Sequence, residues 1–411
     1  MRIVRSSLCV AFVMLPSVLS AGDWTQWRGS NGLNVVDAQP APTEWSSTKN
    51  IIWKAEVPGR GHSTPIVTGN VIVLLTANNE AQTQGVVAFD RATGKQLWMT
   101  PISQGGFAPI HAKNTFASST PATDGKLIYA CFCHHEKIEL VALDLEGKII
   151  WRRDAGAFRP KVYEYGYASS PTIYKGTVIV SADCDTVAWL KAFRLSDGEV
   201  AWEQERPLML NWGSPIVANI GGRDQLFLSG TNMIASYDPA NGQPLWNTPC
   251  LTMATCGTCI WEDGVVFASG GYPGKETVAV KADGSGVLWK NGVKCYEQSM
   301  LVHKGYVYAF SDEGIAYCWD AKTGKEMWKQ RLRGPVSASP LLIGDLIYAT
   351  NEDGTTWVFK ATPEKYELVS RNQLGDTGFS SLIALDGQLF IRTAKVTDNA
   401  YSETLYCVGA K

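Results

Sequence analysis

The stretch VVAFDRATGKQLW, residues 86–98, constrains the fold of this chain more than any other feature. An apolar run ends in Asp90, a polar turn follows through Gly94, and a second run ends in Trp98. Two strands joined by a tight glycine turn account for that order. The pattern then returns. It reads LVALDLEGKIIW at 140–151, LKAFRLSDGEVAW at 190–202, IASYDPANGQPLW at 234–246, VAVKADGSGVLW at 278–289 and AYCWDAKTGKEMW at 316–328. A worn copy, TWVFKATPEKYEL at 356–368, ends in Leu368. The closing tryptophans Trp98, Trp151, Trp202, Trp246, Trp289 and Trp328 stand 53, 51, 44, 43 and 39 residues apart.

A second unit alternates with these hairpins. Examples are HSTPIVTGNVIVL (62–74), SSTPATDGKLIYA (118–130), ASSPTIYKGTVIV (168–180) and SSLIALDGQLFI (380–391), and eight such units occur. Each is a short strand, a turn with glycine and a second strand of alternating apolar residues. Repeats of about 40–50 residues carrying four short strands predict an all-β chain, an eight-bladed β-propeller of four-stranded antiparallel blades. A single blade cannot bury both faces, so blades must stack in a ring. The closing tryptophan of one blade is expected to dock near the glycine turn of the next. The segment NIIWKAEV (50–57) is a fourth strand without its first three, with Trp53 at the closing position. The C-terminal ETLYCVGAK is a third strand without a fourth. The last blade is therefore expected to be closed by the N-terminal strand, which removes an open sheet edge.

Residues 1–21 read as a secretory signal: Arg2 and Arg5, an apolar run over 8–19, then small residues up to Ala21. That run is shorter than the ~20 residues of a spanning helix, and no cysteine of a lipoprotein signal follows it. The expected organisation is a signal peptide at 1–21, an N-terminal arm at 22–49 and the propeller at 50–411. Export to the periplasm or cell exterior follows, with no transmembrane segment in the mature chain and a monomeric propeller. Without Arg2 and Arg5 the chain has 35 basic and 39 acidic residues, a net charge near −4. A mildly acidic chain without basic runs argues against nucleic acid.

The motif A-x-D-x-x-T-G-x-x-x-W is matched by Ala88, Asp90, Thr93, Gly94 and Trp98, and nearly by Cys318, Asp320, Thr323, Gly324 and Trp328. It resembles the repeat of the pyrroloquinoline quinone (PQQ) propellers, over about residues 50–411. DWTQWRGSNG (23–32), PGRGHSTP (58–65) and YGYASSP (165–171) are similar to a BamB-like subgroup of exported proteins. The resemblance implies one of two functions. One is a non-catalytic scaffold that binds protein partners through its face or rim, in outer-membrane protein assembly or a related envelope role. The other is a PQQ-dependent oxidoreductase or a PQQ or small-ligand binder, with Ca²⁺ as the activating cation. The family's alcohol dehydrogenases carry an adjacent cysteine pair beside the quinone. No Cys-Cys dipeptide occurs here and the blades are compact, so the first reading is preferred, with no cofactor and no catalytic residue assigned.

In a propeller, loops joining the fourth strand of one blade to the first of the next surround the channel mouth. Here they bring Arg60, His62, Tyr167, Trp212, Cys256, Glu297 and Phe379 towards one funnel. Aromatic walls with an Arg, a His and a Glu suit a small planar or anionic ligand; the alternative is a solvated mouth. CFCHH, with Cys131, Cys133, His134 and His135, has ligand-type residues but is read as a buried strand entering a polar turn, and no metal is assigned. CGTC (256–259) lacks a thioredoxin-like setting and a haem-type histidine. A disulfide among Cys250, Cys256 and Cys295 is open, without a choice of pair. Trp24 and Trp27 are expected to pack the arm on the ring.

Overall fold

The computed structural model describes residues 22–398 and 400–410; the expected signal segment lies outside them. Eight antiparallel sheets follow one another around a central channel. Blade 1 comprises Ile66–Thr68, Val71–Asn78, Thr83–Asp90 and Gln96–Gln104, and the pattern repeats through blade 7, which ends at Leu368–Gln373. Blade 8 pairs Ile383–Leu385, Gln388–Thr397 and Ala400–Val408 with the N-terminal Ile51–Val57. Trp53 lies opposite Cys407. The chain is thus an all-β, eight-bladed propeller closed by its N-terminal strand.

The core lies in the seams. Each large apolar cluster draws on neighbouring blades: Tyr129 and Leu140 meet Val178 and Phe193 between blades 2 and 3, and Ile234 meets Val266 and Val278 between blades 4 and 5. The fourth-strand tryptophans seal these seams. Trp53, Trp98, Trp151, Trp202, Trp246 and Trp289 lie over Gly94, Gly147, Gly198, Gly242, Gly284 and Gly324 of the following blades. A Cβ at any of these glycines would come within 2.6 Å of the indole. Their φ angles, +71° to +86°, also favour glycine. Five of these indoles donate to a carbonyl of the next blade's turn at 2.8–3.2 Å, as Trp98 does to Leu145. Trp246 instead donates to Gln225 Oε1. Trp328 donates to Thr362 O and packs on Tyr366.

Blade 7 departs from the pattern. Leu368 is exposed, and the position in register with Tyr348 and Val358 is Ser370. The hairpin turn is longer here, so the tryptophan site carries a small residue. The arm supplies the missing ring. Trp45 stacks on Tyr348 at 6.3 Å between centroids. In blades 2, 4, 5, 6 and 8 the fourth-strand tryptophan partners the corresponding aromatic at 5.9–6.1 Å. Ser370 Oγ and Asn372 Nδ2 bind Thr43 O and hold the arm there.

The inner strands are tied by one repeated hydrogen bond. The backbone N–H of Thr64 donates to Thr120 Oγ1, Thr120 to Ser170 Oγ, Ser170 to Ser214 Oγ and Ser214 to Thr258 Oγ1, at 2.9–3.4 Å. Thr258, Ser299 and Ser339 continue to Ser299, Ser339 and Ser381 at 2.9 Å. A belt of eight hydroxyl side chains, one per blade, therefore encircles the channel.

Residues 22–40 cross the face that carries the first hairpin turn of each blade, and touch every blade. Trp24 pairs with Val67, Thr25 O accepts from Thr123, and Gln26 Oε1 accepts from Ile173. Gly32 sits against Ile216. Trp27 Nε1 donates to Thr258 Oγ1, and Arg28 Nη2 to Met300 O. Val35–Val36 runs parallel to Leu341–Ile343, and Gln39 Oε1 accepts from Gly387. The arm closes that end of the channel.

Two predictions follow from this packing. Gly147 and Gly176 share φ +86°, but only Gly147 lies under an indole. Gly176→Ala should cost about 1–2 kcal/mol, the left-handed backbone penalty alone, and Gly147→Ala clearly more; denaturant unfolding measures both, and equal losses would refute the docking role of Trp98. Trp45→Ala should cost about 3–5 kcal/mol, like truncation of a core tryptophan. A loss under about 1 kcal/mol would show that the arm merely rests on the ring.

Candidate functional site

With one end plugged, the channel is a blind cup of about 450 Å³, floored by Trp27 and belted by the eight hydroxyl side chains. Its mouth is on the opposite face, where loops joining strand four to strand one meet loops joining strands two and three. Both kinds return to the same face because the strands of a blade alternate in direction.

One wall is aromatic. Trp212 donates its indole N–H to Gly166 O, and Tyr165 packs on it at 5.5 Å. Tyr163 contacts Tyr165 and Tyr272, at 5.3 and 5.5 Å. Tyr296 continues the wall beside Cys256. Charged groups continue from the Tyr296 end of this wall. Lys294 Nζ pairs with Asp312 at 2.9 Å and lies 5.3 Å from the Tyr296 ring centre. The long loop between blades 1 and 2 reaches to blade 7, where Lys113 Nζ meets Glu352 Oε1 at 2.7 Å. Ser337 donates to the same oxygen. Partial burial lowers the Lys113 pKa, but the Glu352 bond and nearby Glu297 and Asp312 outweigh it and raise it. Among the described residues Glu297 makes no ion pair. It is open to the cup, yet the concave walls strip it of solvent and raise its pKa, with Glu352 and Asp312 adding to the effect and Ser337 and Lys113 opposing it.

Of the residues expected at the funnel, His62, Trp212, Cys256, Glu297 and Phe379 line this cup. Two others lie elsewhere. Arg60 pairs through its backbone with Ala77 and holds its guanidinium 3.9 Å from the Tyr401 ring centre. Tyr167 turns into the seam between blades 2 and 3, donates to Ser181 O at 3.0 Å and packs on Phe158. His62 stacks on Phe379 at 4.5 Å. Burial, then Arg60 and Arg392, push its pKa down to about 3. All nine cysteines of the described chain are free thiols. Cys250, Cys256 and Cys295 lie in three separate clusters. Cys131 is buried in the strand Leu127–His134, followed by a turn at His135.

A family model described as outer membrane protein assembly factor BamB matches residues 29–99, 82–316 and 274–365. The chain belongs to this family. BamB of Burkholderia pseudomallei (strain K96243) is 22% identical over 348 residues, 78% of this chain and 83% of that protein. A polyvinylalcohol dehydrogenase of Sphingopyxis sp. (strain 113P3) is also 22% identical, over 377 residues, 69% of this chain and 57% of that protein. The crystal structure of BamB from Moraxella catarrhalis superposes with a TM-score of 0.61 at 13% identity, over 87% of this chain and 99% of that one. A quinohemoprotein alcohol dehydrogenase from Comamonas testosteroni gives 0.66 at 12% identity, over 94% and 80%. These likenesses establish a shared propeller fold.

The residues missed in sequence include Tyr272 and Asp312 from loops between strands two and three, Lys113 from the long loop between blades 1 and 2, and Trp27 from the arm. The hydroxyl belt had a visible signal: a Ser or Thr recurs just before each first strand, as in HSTP, SSTP, SSP and GSP.

A pH prediction follows for His62. Its folded pKa lies below its unfolded value, so the unfolded chain binds the extra proton between about pH 6.5 and 3. Stability should fall as pH drops through that window. His62→Phe, which can keep the stack on Phe379, should move acid unfolding to lower pH; an unchanged midpoint would refute the assignment.

Proposed function

We propose that this chain is an exported, non-catalytic BamB-like scaffold whose channel mouth binds a protein partner of the cell envelope. One observation carries the reading. Val162, Leu208, Met253 and Tyr272 are large apolar residues exposed together on the mouth face of blades 3 to 5. Contact of Tyr163 with Tyr272 and pairing of Leu210 with Ala254 join their loops. A contiguous apolar patch on an exported propeller marks a surface for another protein. Among the described residues no helix is long and apolar enough to cross a membrane.

The quinoprotein reading rests on the likeness to dehydrogenase propellers. The cup's chemistry argues against it. PQQ brings three carboxylates, but both lysines of the cup are already paired and Glu297 adds an unbalanced negative charge. Among the described residues no three His, Cys, Asp or Glu side chains converge as cation donors. These residues do not fit that cofactor.

A photo-crosslinker placed at Leu208 or Met253 in cells should trap one envelope protein, and Tyr272→Ala should abolish the adduct. The same probe at Val369, exposed on the outer strand of blade 7, should not trap it. Identical products from both sites, or saturable PQQ and Ca²⁺ binding with dye-linked alcohol oxidation, would overturn the scaffold reading.

A further inference from the structure

We infer that the cup receives a cationic side chain, an arginine or lysine, from an extended segment of the partner that docks on the apolar rim. The inference rests on the scaffold reading and specifies what the bound segment must carry.

Charge complementarity comes first. The cup wall and rim hold three carboxylates, Glu297, Asp312 and Glu352, against two lysines, Lys113 and Lys294. Each lysine is spent on one partner, and His62 is neutral. The surplus is one negative charge, and it falls to Glu297, which makes no ion pair among the described residues and feels Lys113 only as a neighbour already bound to Glu352. A carboxylate in a concave, partly desolvated site gains most from a ligand that brings its own cation and hydrogen-bond donors.

The aromatic wall supplies the second half of such a site. A cation over the face of a Trp or Tyr ring is attracted by the ring quadrupole, and cages of such rings recognise ammonium groups. The protein already uses this chemistry in the cup, where Lys294 lies over Tyr296 while paired with Asp312. Trp212 and Tyr165 present further rings on the wall beside Tyr296.

The depth and shape of the cup suit the same ligand. The cup is closed by the arm, so a ligand enters and leaves through one mouth. A volume of about 450 Å³ accepts one long side chain with its flanking backbone. The apolar residues Leu208, Met253 and Tyr272 stand at that mouth, where flanking apolar residues of the same segment would lie. An extended peptide with apolar residues on either side of an arginine fits both parts.

The test uses three blocked peptides that differ only at the centre: arginine, norleucine or glutamate between pairs of leucines. Binding is read from indole NMR shifts of Trp27 and Trp212 in the mature protein. The arginine peptide should bind at least tenfold more tightly than the norleucine peptide, and the glutamate peptide more weakly still. Glu297→Gln should weaken the arginine peptide about tenfold, the size of one charge-assisted contact, and leave the norleucine peptide unchanged. Glu297 is open to the cup, so the variant should melt with the wild type, and Asp312→Asn provides a second charge removal. Equal affinity for arginine and norleucine, or an unchanged affinity in Glu297→Gln, would overturn the cation site. If Leu208→Asp then still abolished binding of both peptides, the scaffold reading would stand without it. If no peptide bound and no envelope protein crosslinked at the rim, both would fall.

Discussion

Eight blades close a ring only if their inner strands keep a fixed spacing, and here one repeated bond sets it. A backbone N–H at the start of each inner strand donates to the hydroxyl of the next blade, at seven consecutive junctions. The bond needs a side chain short enough to let the strands approach and polar enough to accept. Serine and threonine satisfy both. The cup inherits its waist from this requirement. A larger residue at these positions would fill the throat, and an apolar one would leave a buried N–H without a partner. The hydroxyl belt is therefore the structural reason that a cavity exists on the axis, and Trp27 is the ring that fits its floor.

The eighth junction, between blade 1 and the blade in which the two ends of the propeller meet, is built differently. Ser380 Oγ donates to Ser63 O in place of the repeated bond. The seam is reinforced by a buried ion pair. Arg392 donates from Nε to Glu403 and from Nη1 to Leu75 O in blade 1, while Glu403 accepts from the N–H of Gly61. Buried pairs stabilise only so far as their remaining hydrogen bonds are met; those of Arg392 Nη1 and Glu403 reach across the seam, while Arg392 Nη2 has no partner among the described residues. Arg91 of blade 1 adds a second link, to Asp386 of blade 8. The N-terminal strand, the ion pair and the arm all act at or across the ring's weakest circumferential point. A ring closed by non-covalent contacts unzips from its ends, so stabilising contacts are most effective there.

The architecture was legible because its two determinants are local and repeated: a bulky ring at the end of each blade and a glycine that makes room for it. Spacing marked the seams of six tryptophans, and the lone fourth strand at 50–57 added a seventh through Trp53. Blade 7 was harder to read, since its longer turn moves the register to Ser370 and the compensating Trp45 lies more than 300 residues earlier. The site was legible only in part. Connections between blades could be placed at the mouth, and His62, Trp212, Glu297 and Phe379 do line the cup. Side-chain direction could not be placed the same way. Tyr165, Ala168 and Ser170 face the channel while Tyr167, in the same loop, turns into a seam. Asp312 and Tyr272 sit in short turns that carry no repeated signature.

The plugged channel changes what the cup can do. In an open channel, bulk water reaches both ends and screens every charge on the axis. Closing one end with Trp27 and the hydroxyl belt leaves a pocket whose walls desolvate any group deep within it. Glu297 is reachable from the mouth, and loss of solvent on these walls, with Glu352 and Asp312 beside it, shifts its pKa upward. It also explains why the two lysines nearby are paired, since an unpaired ammonium in such a place would suffer the same desolvation. Once these internal pairs are made, Glu297 and the aromatic wall remain, and both favour a cation. The arm that staples the blades together thereby also sets the electrostatics of the face turned to the partner.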